Sequence, residues 1–578
     1  MDWKRFDRVR RDVGPVHLDL VESYAQGRIT RRQFARRAAV LGLSLPFVST
    51  VIAACGGDDD ETSSSGTGAT GTSPPGTAAT TGSAAGTEGT AGAGTPGGTI
   101  RIGAQVPGAL DPIQMQDLGA YGLIAQSFEF LATLGDDGMI APGLAESWEP
   151  NETGDVWTFQ LREGVKWHDG TDFTSADVAA TMDRLVEAQN SGLSGVIESG
   201  AVDTTDPLVA VFNLAAPNGN FPALVSLFNA QTAITPASYE TGTTLDATPA
   251  GTGAWILDSF DAATGCTFVR NEAWWGGATP LDTVEFSFFD DLGTMLTGMT
   301  GGAVDALVQF SVIGGDALLN DPNFNVLEIQ SATHRQIWMK SDSGQFADKA
   351  VRQALALTFN REQMLETLFR GRGNIGNDHV IAPFLPYFDE SVPQRERNVE
   401  QARQLLSDAG VEGIQATLQI PNLQEIPELA QLIAAGAAEA GITLEIAQES
   451  TETFYGSQWC PAEPADPPCS GAAEIGIVDY GDRPTPDIYC NAALKTGGVW
   501  NSSQYSNPEF DAAFVEFQGS VGVDAQKAAC NKIQTILNED TPIGMPFFYN
   551  FLSGHSNAFQ DVNVTAIGQM FLQKASQA

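Results

Sequence analysis

Positive charge is scarce in this sequence: 30 Lys and Arg stand against 71 Asp and Glu, a formal net charge of −41. That balance excludes nucleic acid and anionic lipid headgroups as partners, because both would be repelled. Histidine is scarcer still, with five copies at 17, 168, 334, 379 and 555, none at metal-ligand spacing, so no metal site is expected. Gly-x-Ser-x-Gly, His-Glu-x-x-His and Walker patterns are absent, and nothing calls for a cofactor or a catalytic residue. The expectation is a binding protein, not an enzyme. No apolar run reaches the ~20 residues of a spanning helix. The nearest, Ala38 to Ala54, contains Pro46.

That short run has a recognisable setting. Thr30-Arg31-Arg32-Gln33-Phe34 is a twin-arginine pattern, Arg36 and Arg37 follow, and the apolar stretch ends in Ile52-Ala53-Ala54-Cys55. The ending resembles the bacterial lipobox, in which small residues admit a signal peptidase and the cysteine thiol takes a diacylglycerol. The bland alternative is a short apolar helix that happens to end in Cys. Two acyl chains on Cys55 supply the two signals that stable anchoring needs. Residues 56–97 are Gly, Thr, Ser, Ala and Pro with an acidic cluster at Asp58-Asp59-Asp60-Glu61. Such a composition buries too little apolar surface to order itself, and as a coil it spans roughly 35 Å. The expected order is therefore a signal peptide over 1–54, a lipidated Cys55 and disordered linker over 55–97, and a globular body over 98–578.

Within the body, alternation predicts strands at 98–103, 157–161, 284–288, 416–420 and 442–447, and a strand over 162–170 ending in an Asp-Gly turn. Thr174 with Asp177 three positions on reads as a capping box, placing Val178, Met182, Leu185 and Val186 on one helical face. Asn360 and Asn398 open two more helices, and strand, helix (428–440) and strand around Gly441 imply a parallel βαβ unit. Cys460 and Cys469 bracket a Pro-rich loop they can staple. Cys490 and Cys530 are a possible second pair, with Cys266 left over. Gly371-Arg-Gly-Asn-Ile-Gly376 fits a dinucleotide pattern but follows a helix, the wrong context, and is read as a helix stop.

One long string carries a resemblance. Leu144-Ala-Glu-Ser-Trp148, then Trp157-Thr-Phe-Gln-Leu-Arg-Glu-Gly-Val-Lys-Trp-His-Asp-Gly170 continuing to Val178, resembles the solute-binding proteins of the peptide, oligopeptide and nickel ABC importers. Val269 to Gly277, Val351 to Arg361, Tyr505 to Asp511 and Ile536 to Pro542 match in family order. The resemblance implies an α/β fold of the type II periplasmic-binding-protein kind: two main lobes joined by a hinge, plus a smaller inserted lobe. It places lobe I at 98–143, 236–338 and 551–578, lobe II at 144–235, and lobe III at 339–550. It implies a monomer, lipid-anchored outside the cytoplasm, that binds a small molecule or peptide and hands it to ABC permease subunits. Alternatives are a nickel chelate, a sugar or another small solute, or a non-transport role as a peptide sensor or chaperone. His168-Asp169 is a fold signature on this reading.

The richest constellation for binding is Val478-Asp-Tyr-Gly-Asp-Arg-Pro-Thr-Pro-Asp487, followed by Trp500 and Asn501. Binding groups concentrate on loops held by rigid scaffolds. In peptide-binding members a comparable Asp-Tyr pair faces the cleft, so the resemblance gives Asp479 the ligand's ammonium, with Tyr480, Arg483, Trp500 and Asn501 beside it. Arg483 departs from the usual pattern. It suits a ligand carboxylate, or a structural pair with Asp479 that fixes the loop.

Overall fold

The computed structural model describes residues 96–578, apart from 109, 116, 136–138, 191, 246–250, 462–465 and 484. The twin-arginine pair, Cys55 and all but the end of the low-complexity segment lie outside the described residues. Three larger sheets carry the fold. The first grows from the alternation at the start of the body: Ile100, Ile102 and Ala104 of strand Thr99–Gln105 are fully buried. That strand pairs in parallel with Thr283–Phe289 on one side and Ala306–Phe310 on the other. Phe551–Ser556, near the C-terminus, inserts antiparallel between Ala306–Phe310 and Phe324–Ile329. Gly265–Arg270 and Trp255–Asp261 complete seven strands.

The second sheet holds the expected βαβ unit. Ile414–Pro421 and Ile442–Glu449 run parallel in full register, joined by helix Ile426–Glu439. Ile475–Tyr480 lies parallel on the other side of Ile414–Pro421 and antiparallel to His334–Met339. His334–Met339 is buried at every position, which gives it a core on both faces. The lobe boundary expected at 338 therefore falls inside a strand of this second sheet. The chain leaves the first sheet at Ile329 and enters the second at His334. It returns between Tyr549 and Phe551. The two crossings are tied together, Tyr549 N–H donating to the Thr333 carbonyl at 3.1 Å.

The third sheet has four strands, in the order Ala145–Pro150, Val156–Leu161, Val209–Asn213, Val202–Asp203. Helix Ser175–Glu187 starts where the capping box puts it, Thr174 N–H donating to Asp177 at 2.8 Å, with Val178, Met182 and Leu185 buried. The expected strand over 162–170 is instead a looped segment after Leu161. Its His168 Nε2 donates to the Gly253 carbonyl at 2.9 Å, and its backbone N–H bonds Gly251. Beside that clamp, Trp167 and Gly170 spend their N–H groups inside the local turn, on the Thr171 and Trp167 carbonyls, and not on a strand partner. Cys460 and Cys469 form a disulfide. Cys490 and Cys530 are not joined: both are buried thiols inside an apolar cluster, as Cys266 is in another.

Candidate functional site

The parallel strands of the second sheet end on one edge, and loops leaving such carboxyl ends are where open α/β sheets bind ligands. Asp479 stands near the end of Ile475–Tyr480, and Gln424 and Glu425 follow Ile414–Pro421. They converge on Arg335, opposite Asp479 in the ladder. The Arg335 side chain has no solvent exposure. Its Nε donates to Glu425 at 2.6 Å, one terminal nitrogen to Gln424 at 2.8 Å and the other to Asp479, while the Tyr549 ring lies 4.7 Å from the guanidinium carbon. Burial opposes the charge, but Asp479 and Glu425 together outweigh it and push the guanidinium pKa up. One cation shared by two carboxylates leaves this cluster with a net single negative charge. Only Asp479 of the three charged groups reaches solvent, its side chain 31% exposed.

The other expected site residues divide. Tyr480 and Trp500 come together, ring centroids 6.0 Å apart, with Trp459 and Tyr489 also against Tyr480. Asn501 is buried and serves its own loop, donating to the Lys495 and Tyr505 carbonyls and accepting from Tyr505 N–H. Arg483 does not pair with Asp479. It donates to the Asp482 carbonyl at 2.7 Å, and among the described residues no carboxylate is within ion-pair reach of it. The structural partner of Asp479 is Arg335, which the sequence reading missed. A His-Arg-Gln run inside a segment flanked by apolar residues was the available signal. His334 beside it is held neutral by burial, its pKa lowered to about 4, with Nδ1 donating to the Ala332 carbonyl.

A cavity of about 640 Å³ opens along the crossing segment Glu328–Gln330, with walls from all three sheets and their loops. Trp148, Trp157, Phe228, Phe384 and Tyr387 supply rings. At its floor Asn220 donates to Asp487 at 2.8 Å and accepts from Gln526 at 2.8 Å, joining the four-stranded sheet's loop to the second sheet's helices. Gly219 permits this approach: its N–H bonds the Gln518 carbonyl, and a Cβ there would lie 1.9 Å from the Ser520 oxygen. Asp482, also lining the cavity, is buried and accepts from Ala332 N–H at 2.6 Å and Ser331 at 3.2 Å. It therefore ties the 480s loop to the crossing.

Asp487 is the titratable member of this seam. Burial raises its pKa from 3.8 to about 6, against the lowering effect of Asn220 and Thr485, and its Oδ1 has no hydrogen-bond partner. A carboxyl with a raised folded-state pKa destabilises the fold as pH climbs through that value, since the unfolded chain ionises first. Asp487→Asn keeps an acceptor for Asn220 and cannot ionise. It is expected to raise stability by ~1–3 kcal/mol at about pH 8 and by almost nothing at about pH 4. Thermal melts at both pH values check this, and an equal gain at both would contradict it.

Residues 139–464 match the family described as bacterial extracellular solute-binding proteins, family 5 Middle. Heme-binding protein A of Haemophilus influenzae is 25% identical over 437 residues, covering 70% of this chain and 78% of that protein. The periplasmic murein peptide-binding protein MppA of Escherichia coli is 27% identical over 478 residues, covering 77% and 86%. Among solved structures, the periplasmic binding protein DppA of Helicobacter pylori in complex with the peptide STSA superposes with a TM-score of 0.69 at 19% identity, covering 84% of this chain and 98% of that one. At that identity the likeness speaks for the fold alone.

Proposed function

The chain belongs to family 5 of the bacterial extracellular solute-binding proteins, transport proteins and not enzymes, and from this premise we propose that its solute is a peptide with a free N-terminus. It captures the peptide between the first and second sheets and delivers it to an ABC permease. The observation that carries the reading is the charge count around Arg335. A buried cation with two carboxylates, one of them part exposed at a strand's carboxyl edge, is a net negative site suited to an ammonium. The second Asp479 oxygen is left to a ligand, while Arg335 fixes the carboxylate's orientation. Two crossings side by side form a natural hinge, so closure on the solute is the expected motion. Relatives that bind peptides, such as MppA, support this reading, while a nickel-binding relative of similar identity keeps a nickel chelate as the second candidate. Among the described residues, no group of three or more His, Cys, Asp or Glu is placed to hold a metal ion.

Asp479→Asn removes the charge but keeps the shape, and Glu425 still pairs Arg335. Because a buried cation would lose its partner, a cost of about 2–5 kcal/mol, affinity for free-amine peptides is expected to fall more than tenfold. Calorimetric titration with free and N-acetylated peptides reads the outcome. The acetylated set binds wild type weakly and loses nothing further in the variant. Equal losses for both sets would contradict the ammonium role.

The address belongs to the same proposal. A lipid on Cys55 holds a monomer at the outer face of the cell membrane, on a tether formed by 56–97. The described residues contain no helix long and apolar enough to cross a membrane, which suits an anchor at the cysteine. Cys55→Ala protein is expected to be exported yet absent from washed membranes. Retention unchanged from wild type would contradict the anchor.

A further inference from the structure

The cavity beside the crossing has a charge pattern of its own. Among the described residues its lining holds two carboxylates, Glu328 and Asp482, and no Lys, Arg or His. Both carboxylates are already engaged. Glu328 pairs with Arg372 and accepts from Asn550 at 2.7 Å, and Asp482 accepts from Ala332 and Ser331. Only Glu328 is ion-paired, so a cation entering would find Asp482 alone, a buried carboxylate already holding two neutral donors. An anion would lose its water with nothing basic to replace it, a heavy desolvation cost. The remaining wall is uncharged and mostly apolar: five aromatic rings, with Leu134, Met139 and Val523 standing at the surface 37–42% exposed. Apolar residues of that size left in water around a concave site mark a place where something apolar binds.

We propose that this cavity receives an uncharged aromatic side chain of the bound peptide and rejects acidic ones. The inference rests on the interlobe-capture reading and narrows its solute. Gln330, exposed at the edge of the cavity, offers a polar group without charge, and the amides of Asn220 and Gln526 are occupied with one another and Asp487.

Two dyes sharing one ring system test the charge rule. N-phenyl-1-naphthylamine is neutral, and 8-anilino-1-naphthalenesulfonate adds a sulfonate. The neutral dye is expected to bind saturably, one per chain, and at least about tenfold more tightly than the sulfonate. Ala223→Trp, which fills the cavity, abolishes neutral-dye binding, while Gln330→Lys narrows the gap by strengthening the sulfonate. Ala-Phe-Ala displaces the neutral dye and Ala-Glu-Ala does not. The proposal is overturned if the neutral dye fails to saturate, if the two dyes bind alike, or if Ala-Glu-Ala competes as well as Ala-Phe-Ala. It is equally overturned if a stably folded Ala223→Trp binds the dye like wild type. Should that variant melt early, Gln330→Lys decides alone, and an unchanged sulfonate affinity counts against the proposal. Because the dyes carry no peptide ammonium, failure here with acetylation-sensitive peptide binding intact sinks only this inference. Dye binding intact without peptide binding sinks only the peptide reading.

Discussion

A guanidinium with no access to water is the constraint around which the binding edge is built. Arg335 sits in a strand buried on both faces, where an unpaired charge would cost several kcal/mol. Its neutralisation recruits Asp479 from the adjacent strand, Gln424 and Glu425 from the start of the βαβ helix, and the Tyr549 ring from the return crossing. Four segments far apart in sequence are thereby fixed at one edge. The same interaction that stabilises the sheet also orients Asp479, the one carboxylate of this cluster that reaches solvent. Structure and proposed recognition are not separable at Asp479, and only a charge change that preserves Glu425's pairing divides them.

The crossings matter for a related reason. The first and second sheets each draw strands from distant parts of the chain, yet the polypeptide passes between them at two adjacent places. Asp482 bonded to Ala332 and Ser331 brings the 480s loop to one of these passages. A ligand touching that loop therefore touches the hinge. The smaller four-stranded sheet takes part as well: Ile488 packs into its core, and Asn220 and Gly219 bond across to the second sheet's helices. Its contacts make it a wall of the cavity, with apolar burial supplying most of the cohesion.

Local pattern made much of this fold readable. Strand Thr99–Gln105 announces itself by alternation, helix Ser175–Glu187 by its capping box, and the unit from Ile414 to Glu449 by a glycine between helix and strand. What escaped was non-local. His334–Met339 carries three polar residues and shows no alternation, because a central strand buried on both faces has no solvent side to advertise. Residues 162–170 look strand-like, but His168 bonds Gly251 through its backbone N–H and Gly253 through its ring, partners that no local window sees. At the site, the Asp479–Tyr480 pair was singled out through the resemblance, whereas the bonds of Asn501 to its own loop depend on a loop conformation that no local pattern reveals. The cavity was invisible, its walls coming from residues between 134 and 567.

A small solute held between the two seven-stranded sheets, against the crossing, would bridge both of them. Hydrogen–deuterium exchange on the protein saturated with a mixture of short free-amine peptides reads that bridging. Added protection is expected on both sides of the crossing together, at 328–333, 384–387 and 479–487, with the outer strands Trp255–Asp261 and Gly265–Arg270 unchanged. Protection confined to one sheet, or none at saturation, would contradict it.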